Sequence, residues 1–321
     1  MKYGILAAVG LLALAACSAG KEEAEAPLPV ILDTDMGNDV DDLLAMQMLM
    51  NYESEGRVKV LGIGLAKANR KACDFVRAYY GRYGSGAPTF GYMTSGSNPD
   101  DGNYLTAALA ALGTDSLPAG GCESVEMYRR LLSSSADSSL TIIAIGPLTN
   151  MARLLDSAPD SISPLSGEEL VGRKVRSLCM MGGDFRSDAA AEWNILQDSV
   201  AARVVFDRWP TELVTSGSEV GNAVLYPHQS ILGDYAPEHP LRVAYENFIP
   251  MPYDRQCWDL TTVLYAVEPD STWFELSPRG EISVDTLGRT GFEQAEQGRR
   301  RVLALACDSL ANVLVNRVNG K

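Results

Sequence analysis

From Pro29 onward, short apolar runs alternate with longer segments in which apolar residues recur every three or four positions, and this alternation leaves few folds open. The runs Pro29 to Leu32, Val58 to Ile63, Leu140 to Ile145, Val175 to Met181 and Glu212 to Val214 are strand candidates. Apolar runs of this kind mark the mostly parallel sheets of α/β proteins, buried on both faces. Between them, Asp41 to Tyr52, Asn69 to Tyr83, Ser124 to Ser133, Leu148 to Leu155 and Ser199 to Trp209 have the period of crossover helices. Asp308 to Val318 reads as a closing helix capped by Asp308, and Thr272 to Val302 as a short β excursion. The expected fold class is α/β, with one domain over residues 29–321 and an open, mostly parallel central sheet flanked by helices. In such sheets ligands gather at the carboxyl ends of the strands.

The first residues bear on the compartment. Lys2 precedes an apolar run from Ile5 to Ala16, too short to span a bilayer, so residues 1–16 read as a signal peptide. Leu14-Ala15-Ala16-Cys17 resembles the bacterial lipoprotein signal, in which the Cys thiol takes a diacylglycerol and becomes the mature N-terminus. Residues 17–28 are largely polar and acidic, without a period that could bury a face, and read as a lipidated tether. The expectation is a lipoprotein of the bacterial cell envelope, anchored to the membrane at Cys17, at the periplasmic or surface face of the outer membrane.

A net charge of -14 repels a phosphate backbone, and only Arg299 to Arg301 interrupts it, so nucleic acid is not expected as a partner. The five cysteines after Cys17 are an odd number without close spacing, which argues against a disulfide framework or a zinc motif. The two histidines, His228 and His239, lie in Pro-flanked stretches that read as loops, and give little support to histidine-based metal or triad chemistry.

The segment PVILDTDMGNDVDDLLA, Pro29 to Ala45, is an apolar strand, a turn at Gly37 and a helix start, with Asp33, Asp35, Asp39, Asp41 and Asp42 between. Carboxylates so crowded at a strand end repel one another unless a cation neutralises them. An all-oxygen donor set selects a hard ion such as Ca2+ or Mg2+ over zinc. The helix N-terminus at Asp41 and Asp42 favours their ionised forms. An EF-hand loop starting at Asp33 needs Gly at position 38 and Glu at position 44, where this chain has Asn38 and Leu44. A haloacid-dehalogenase-type phosphatase also opens on a strand ending Asp-x-Asp, but Gly37 stands where it needs Thr or Val. That phosphatase is the alternative enzyme reading.

Asp33-Thr34-Asp35-x-Gly37 followed by Asp41-Asp42-x-x-Ala45 resembles the opening motif of the inosine-uridine nucleoside hydrolase family. Gly146-Pro147-Leu148-Thr149-Asn150, Met181-Gly182-Gly183, Glu192-Trp193-Asn194 and Trp258-Asp259 follow in the family's order. The resemblance implies Ca2+-dependent hydrolysis of the N-glycosidic bond of ribonucleosides, giving free base and ribose, as in purine salvage. It implies Asp35, Asp42, the carbonyl of Ile145 and Asp259 as metal ligands. Asp41 and Asn194 correspond to the grips on the ribose 2′-hydroxyl, Asn69 and Asp259 to those on the 3′-hydroxyl, and Glu192 to that on the 5′-hydroxyl. Asp35 and Asp41 are the catalytic candidates, Asp35 as general base.

The chain departs from the family pattern in three places. Two extra residues between Gly37 and the Asp pair leave Asp39 without a counterpart, free to compete with Asp41 or Asp42 for the metal. The segment from Met181 to Glu192 is short, so Ser187 or Asp188 stands in at the 5′ contact. Trp258 occupies the place where many members have a His that protonates the leaving base, and is similar to the purine-specific branch, where tryptophan stacks on the base. Purine preference is therefore expected, with Arg255 meeting the base or capping the surface. A nucleoside-binding lipoprotein without hydrolysis is the alternative from another class, and a homo-oligomer stays open.

Overall fold

A computed structural model describes residues 1, 26–96, 99–114, 120–269, 272–307 and 309–321 of the chain. The expected signal peptide, Cys17, most of the tether and the expected cap Asp308 lie outside the described residues. The strands are β1 (Leu28–Thr34), β2 (Val58–Leu65), β3 (Thr89–Tyr92), β4 (Cys122–Glu123), β5 (Leu140–Ala144), β6 (Val175–Met181), β7 (Glu212–Ser216), β8 (Leu225–Tyr226), β9 (Arg255–Gln256), β10 (Phe274–Leu276), β11 (Gly280–Val284), β12 (Thr290–Gln294) and β13 (Arg300–Leu305). One sheet runs in the order β12-β11-β13-β7-β6-β5-β1-β2-β3-β4, with β10 paired to β13, while β8 and β9 pair separately. From β13 to β4 every neighbouring pair is parallel.

Burial explains which strands were legible. The central strand β5 is buried at every position, and β1 over its last five residues, so both read as continuous apolar runs. At the edge, β11 alternates buried and exposed positions and β12 is largely exposed. The segment expected to be a β excursion is part of the main sheet: β13 lies parallel to β7, and β11 and β10 pair antiparallel with β13. The strand at the start of the domain begins one residue earlier than expected, at Leu28. Both histidines, expected in loops, sit at helix starts: His228 opens the helix His228–Asp234 and His239 caps Pro240–Phe248. Among the described residues no helix is long and apolar enough to cross a membrane.

Three features place the site. β1 lies between β2 and β5, so its carboxyl end faces the middle of the sheet's upper edge. Gly37, at φ +108, makes the turn that sends the chain from β1 into the helix Asp41–Ser54; a Cβ there would meet Leu105 Cδ1 at 2.6 Å. The helix Trp258–Val267 is buried on nearly all sides and brings residues from far along the chain to the same edge.

Candidate active site

A cavity of about 520 Å³ opens at this edge, lined by Asp35, Asn38, Asp39, Asp41 and Asp42 from the first turn and helix and by Ile145 just beyond β5. Residues after β6 and from the second half of the chain close it, among them Asp184, Glu192, Asn194, Arg255, Trp258 and Asp259. Its size suits a small organic ligand.

The carboxylates gather for local reasons and one distant one. Asp41 and Asp42 occupy the first turn of their helix, where unpaired backbone N–H groups favour negative charge. Asp259 occupies the first turn of the helix Trp258–Val267, and its backbone N–H donates to Asp41 Oδ2 at 3.2 Å. Carboxylate oxygens of Asp41, Asp42 and Asp259 lie within 4.8 Å of one another, and all three residues are buried. Burial, followed by the charges of neighbouring aspartates, holds these carboxyls well above the ordinary range. The donor set is oxygen throughout and fits a hard divalent cation, which would supply the missing counter-charge.

Asp35 stands beside this trio rather than in it. Burial pushes its carboxyl up to about 6, against the pull of the Asn38 amide and the Lys67 charge. That value suits a group that takes a proton near neutral pH. Gly146 gives it room: a Cβ there would lie 3.0 Å from Asp35 Oδ1. Asp33, first of the run, does not line the cavity; it is fully buried and accepts from Tyr128 and from Asn150.

Asp39 does not join the cation cluster. Its carboxylate pairs with the Arg255 guanidinium through Nε, at 2.8 Å, and through Nη2. The same guanidinium lies over the Trp258 ring, 4.7 Å from its centroid, and 5.0 Å from that of Phe248. Arg255 therefore lines the cavity, held between an acid and an indole, and does not merely cap the surface. Trp258 is half-buried against Gly221, and its indole N–H is buried without a partner.

The remaining expected residues divide. Glu192 and Asn194 line the cavity, but Glu192 caps the helix Trp193–Gln197 and accepts from the backbone N–H groups of Asn194 at 2.9 Å, Gly183 at 3.1 Å and Ile195 at 3.2 Å. Burial pushes its carboxyl up to about 7 in spite of them. Asn69 is not on the cavity wall. Its side chain caps the helix Arg70–Tyr83 through Ala72 N–H at 2.8 Å, and its amide donates to Pro99 O and Asp101 Oδ1. Ser187 and Asp188 are likewise not among the lining residues; Asp184 and Ala190 are. Asp184 follows Met181-Gly182-Gly183, so its place after a strand end was a readable signal. Trp193, between Glu192 and Asn194, is also on the wall and 55% exposed, and its only signal in the sequence is that position. Cys73, Cys122, Cys179, Cys257 and Cys307 are all free thiols.

Comparison with known proteins bears on the whole of this arrangement. The family described as inosine-uridine preferring nucleoside hydrolase matches residues 30–315. The pyrimidine-specific ribonucleoside hydrolase RihA of Enterobacter sp. (strain 638) is 36% identical over 88 residues, 26% of this chain and 25% of its own length. The non-specific ribonucleoside hydrolase RihC of Shigella boydii serotype 4 (strain Sb227) is 41% identical over 96 residues, 29% of this chain and 28% of its own. This chain thus spans about a quarter of the length of the curated relatives it matches. Among solved structures, the inosine-uridine preferring nucleoside hydrolase from Bacillus anthracis aligns with a TM-score of 0.69 at 21% identity, covering 91% of this chain and 99% of its own. The purine-preferring ribonucleoside hydrolase from Gardnerella vaginalis aligns with a TM-score of 0.69 at 21% identity, covering 91% and 98%. At these identities the structural likeness concerns the fold.

Proposed function

The chain belongs to the inosine-uridine preferring nucleoside hydrolase family, and from that premise we propose that its cavity binds a ribonucleoside and hydrolyses the N-glycosidic bond to free base and ribose with the aid of Ca2+. The observation behind this reading is the buried trio Asp41, Asp42 and Asp259, with Asp35 beside it in the same cavity. Asp42, Asp259, Asp35 and the carbonyl of Ile145 would hold the ion, and Asp41 is close enough to contribute. When bound, the ion neutralises the cluster and makes a nearby water easier to deprotonate.

The chain's own residues do the rest. Asp35 accepts a proton from the attacking water, and the negative charge left on the neighbouring carboxylates stabilises the oxocarbenium-like ribosyl cation. Asn194 and the aspartates hold the sugar hydroxyls, so that water attacks in line, opposite the base, with inversion at the anomeric carbon. The expected contacts of Glu192 and Asn69 have less support, since the first is held by three backbone donors and the second is a helix cap.

We extend the proposal to purine preference, supported by Trp258 on the cavity wall with no histidine among the lining residues. Arg255 covers part of the indole, so a stacked base meets the uncovered face or displaces the guanidinium. The envelope location, with the lipid at Cys17, is proposed on the sequence alone. A reducing-sugar assay with inosine, adenosine, guanosine, uridine and cytidine, with and without chelator, tests the activity. Release of free base that chelator abolishes supports it. Nucleoside binding without release of base would assign the cavity to capture instead.

A further inference from the structure

The turn after β1 faces a buried ammonium from the end of the neighbouring strand β2, that of Lys67, and the hydrolytic reading leaves it unused. Lys67 is fully buried, two residues beyond the end of β2. β2 pairs in parallel with β1, Thr34 opposite Leu65, and Ala66 N–H donates to Thr34 O at 2.8 Å, so Lys67 reaches the level of Asp35 on the neighbouring strand. Its ammonium donates to Asn38 Oδ1, and Asn38 Nδ2 in turn donates to Asp35 Oδ2. The charges facing it are Asp35, Asp42, Asp100 and Asp101. Of the last two, Asp101 is already held by Asn69 and Lys71.

The order of donors and acceptors in this chain is forced. A lysine ammonium only donates, so it fixes the carbonyl end of Asn38 toward itself. An ionised carboxylate only accepts, so the amide end of Asn38 is the end that satisfies Asp35. Flipping Asn38 would set its carbonyl against a carboxylate and its NH2 against an ammonium, two repulsions in a buried place. With Oδ2 so engaged, the other oxygen, Oδ1, lies at the Gly146 side of the carboxylate. Burying a lysine is costly, and the site is worth that cost if the lysine holds something in register.

We propose that Lys67, acting through Asn38, is a positioning residue that fixes the rotamer of Asp35 and thereby which of its oxygens meets the reacting water. This rests on the reading of Asp35 as general base. Asn38 lies in the stretch between Gly37 and the Asp pair, which is two residues longer than in the simplest motif, so the bridge sits where the first turn is lengthened. A group set a fraction of an ångström off line loses rate far more than binding.

The test uses Lys67→Met, Asn38→Ala, the double variant and Asp35→Asn, with kcat and KM for inosine and Ca2+ affinity by calorimetry. The expected result is a fall in kcat of about ten- to hundredfold in both single variants with KM within about twofold. The double variant should be no slower than either single one, because each breaks the same chain. Lys67→Met should bind Ca2+ at least as tightly as wild type, since a repelling charge is gone; general damage to the site would weaken binding. Asn38→Ala at wild-type turnover, or single effects that multiply in the double variant, would overturn the proposal. Asn38 lies in a partly exposed turn, so its variant decides even if Lys67→Met fails to fold. An Asp35→Asn variant at full rate, or a wild type that releases no base, would instead remove the general-base reading, and the positioning role with it.

Discussion

Replacing Asp42 by Asn should raise the stability of the cation-free protein and abolish its response to Ca2+. Asp42 shares its surroundings with Asp41 and Asp259, whose oxygens lie within 4.8 Å. At that separation, one like-charge pair costs about 3.5 kcal/mol at an effective dielectric near 20. The carboxyls already sit well above their ordinary range, so protonation relieves part of this, and the gain from removing one charge is about 1–3 kcal/mol. The exchange is nearly isosteric, and an Asn carbonyl can still accept from the Thr34 hydroxyl that Asp42 Oδ1 accepts from now. For a chain of this size the melting temperature should rise by roughly 2–9 °C in chelator. In excess Ca2+ the order reverses, because an ion at about a thousand times its dissociation constant stabilises wild type by about 4.1 kcal/mol and the variant far less. Thermal melts by circular dichroism in EDTA and in CaCl2 measure both halves. A variant that melts below wild type in EDTA, or that keeps the full rise with Ca2+, would refute the assignment of these carboxylates to a cation.

Trp258→Ala should lower turnover of inosine or guanosine by roughly ten- to hundredfold while changing their Michaelis constants less, as loss of about 1–3 kcal/mol of stacking requires; wild-type cleavage of uridine as fast as inosine would remove the basis for purine preference. Asp39→Ala and Arg255→Ala should each destabilise, with a coupling of about 1–2 kcal/mol in the double-mutant cycle, because either change strands a charge the other balances; strictly additive melting shifts would contradict a working pair. Cys17→Ser should move the protein out of the membrane fraction, and labelled fatty acid entering the variant would sink the lipid anchor.

The legible strands were those the sheet buries on both faces. Val175 to Met181 was bounded to the residue, because its last four positions, Leu178 to Met181, form a buried apolar run, although Arg176 and Ser177 interrupt the pattern before it. Thr89–Tyr92 and Cys122–Glu123 were missed: strands of four and two residues owe their pairing to the edge that β2 offers β3 and β3 in turn offers β4, rather than to their own pattern. The same division holds in the site. Asp35, Asp41 and Asp42 are close in sequence and their crowding is chemistry one can read. Asp259 came only through resemblance, since nothing near Trp258 announces which acid it will face. Asn69 shows local physics prevailing, as its amide is held by the helix it starts. The pairings of Asp39 with Arg255 and of Asn38 with Lys67 are between distant positions, and no period or spacing signals them.

The contact between Asp41 and Asp259 spans 218 positions. An ion held there can bind only after both ends of that span have docked, which in a parallel sheet of this order is a late event. It therefore does little for the early nucleus and acts mainly as a brake on opening: the rate of unfolding, more than the rate of folding, answers to the cation. The lifetime of the folded state would then track the concentration of that cation around it.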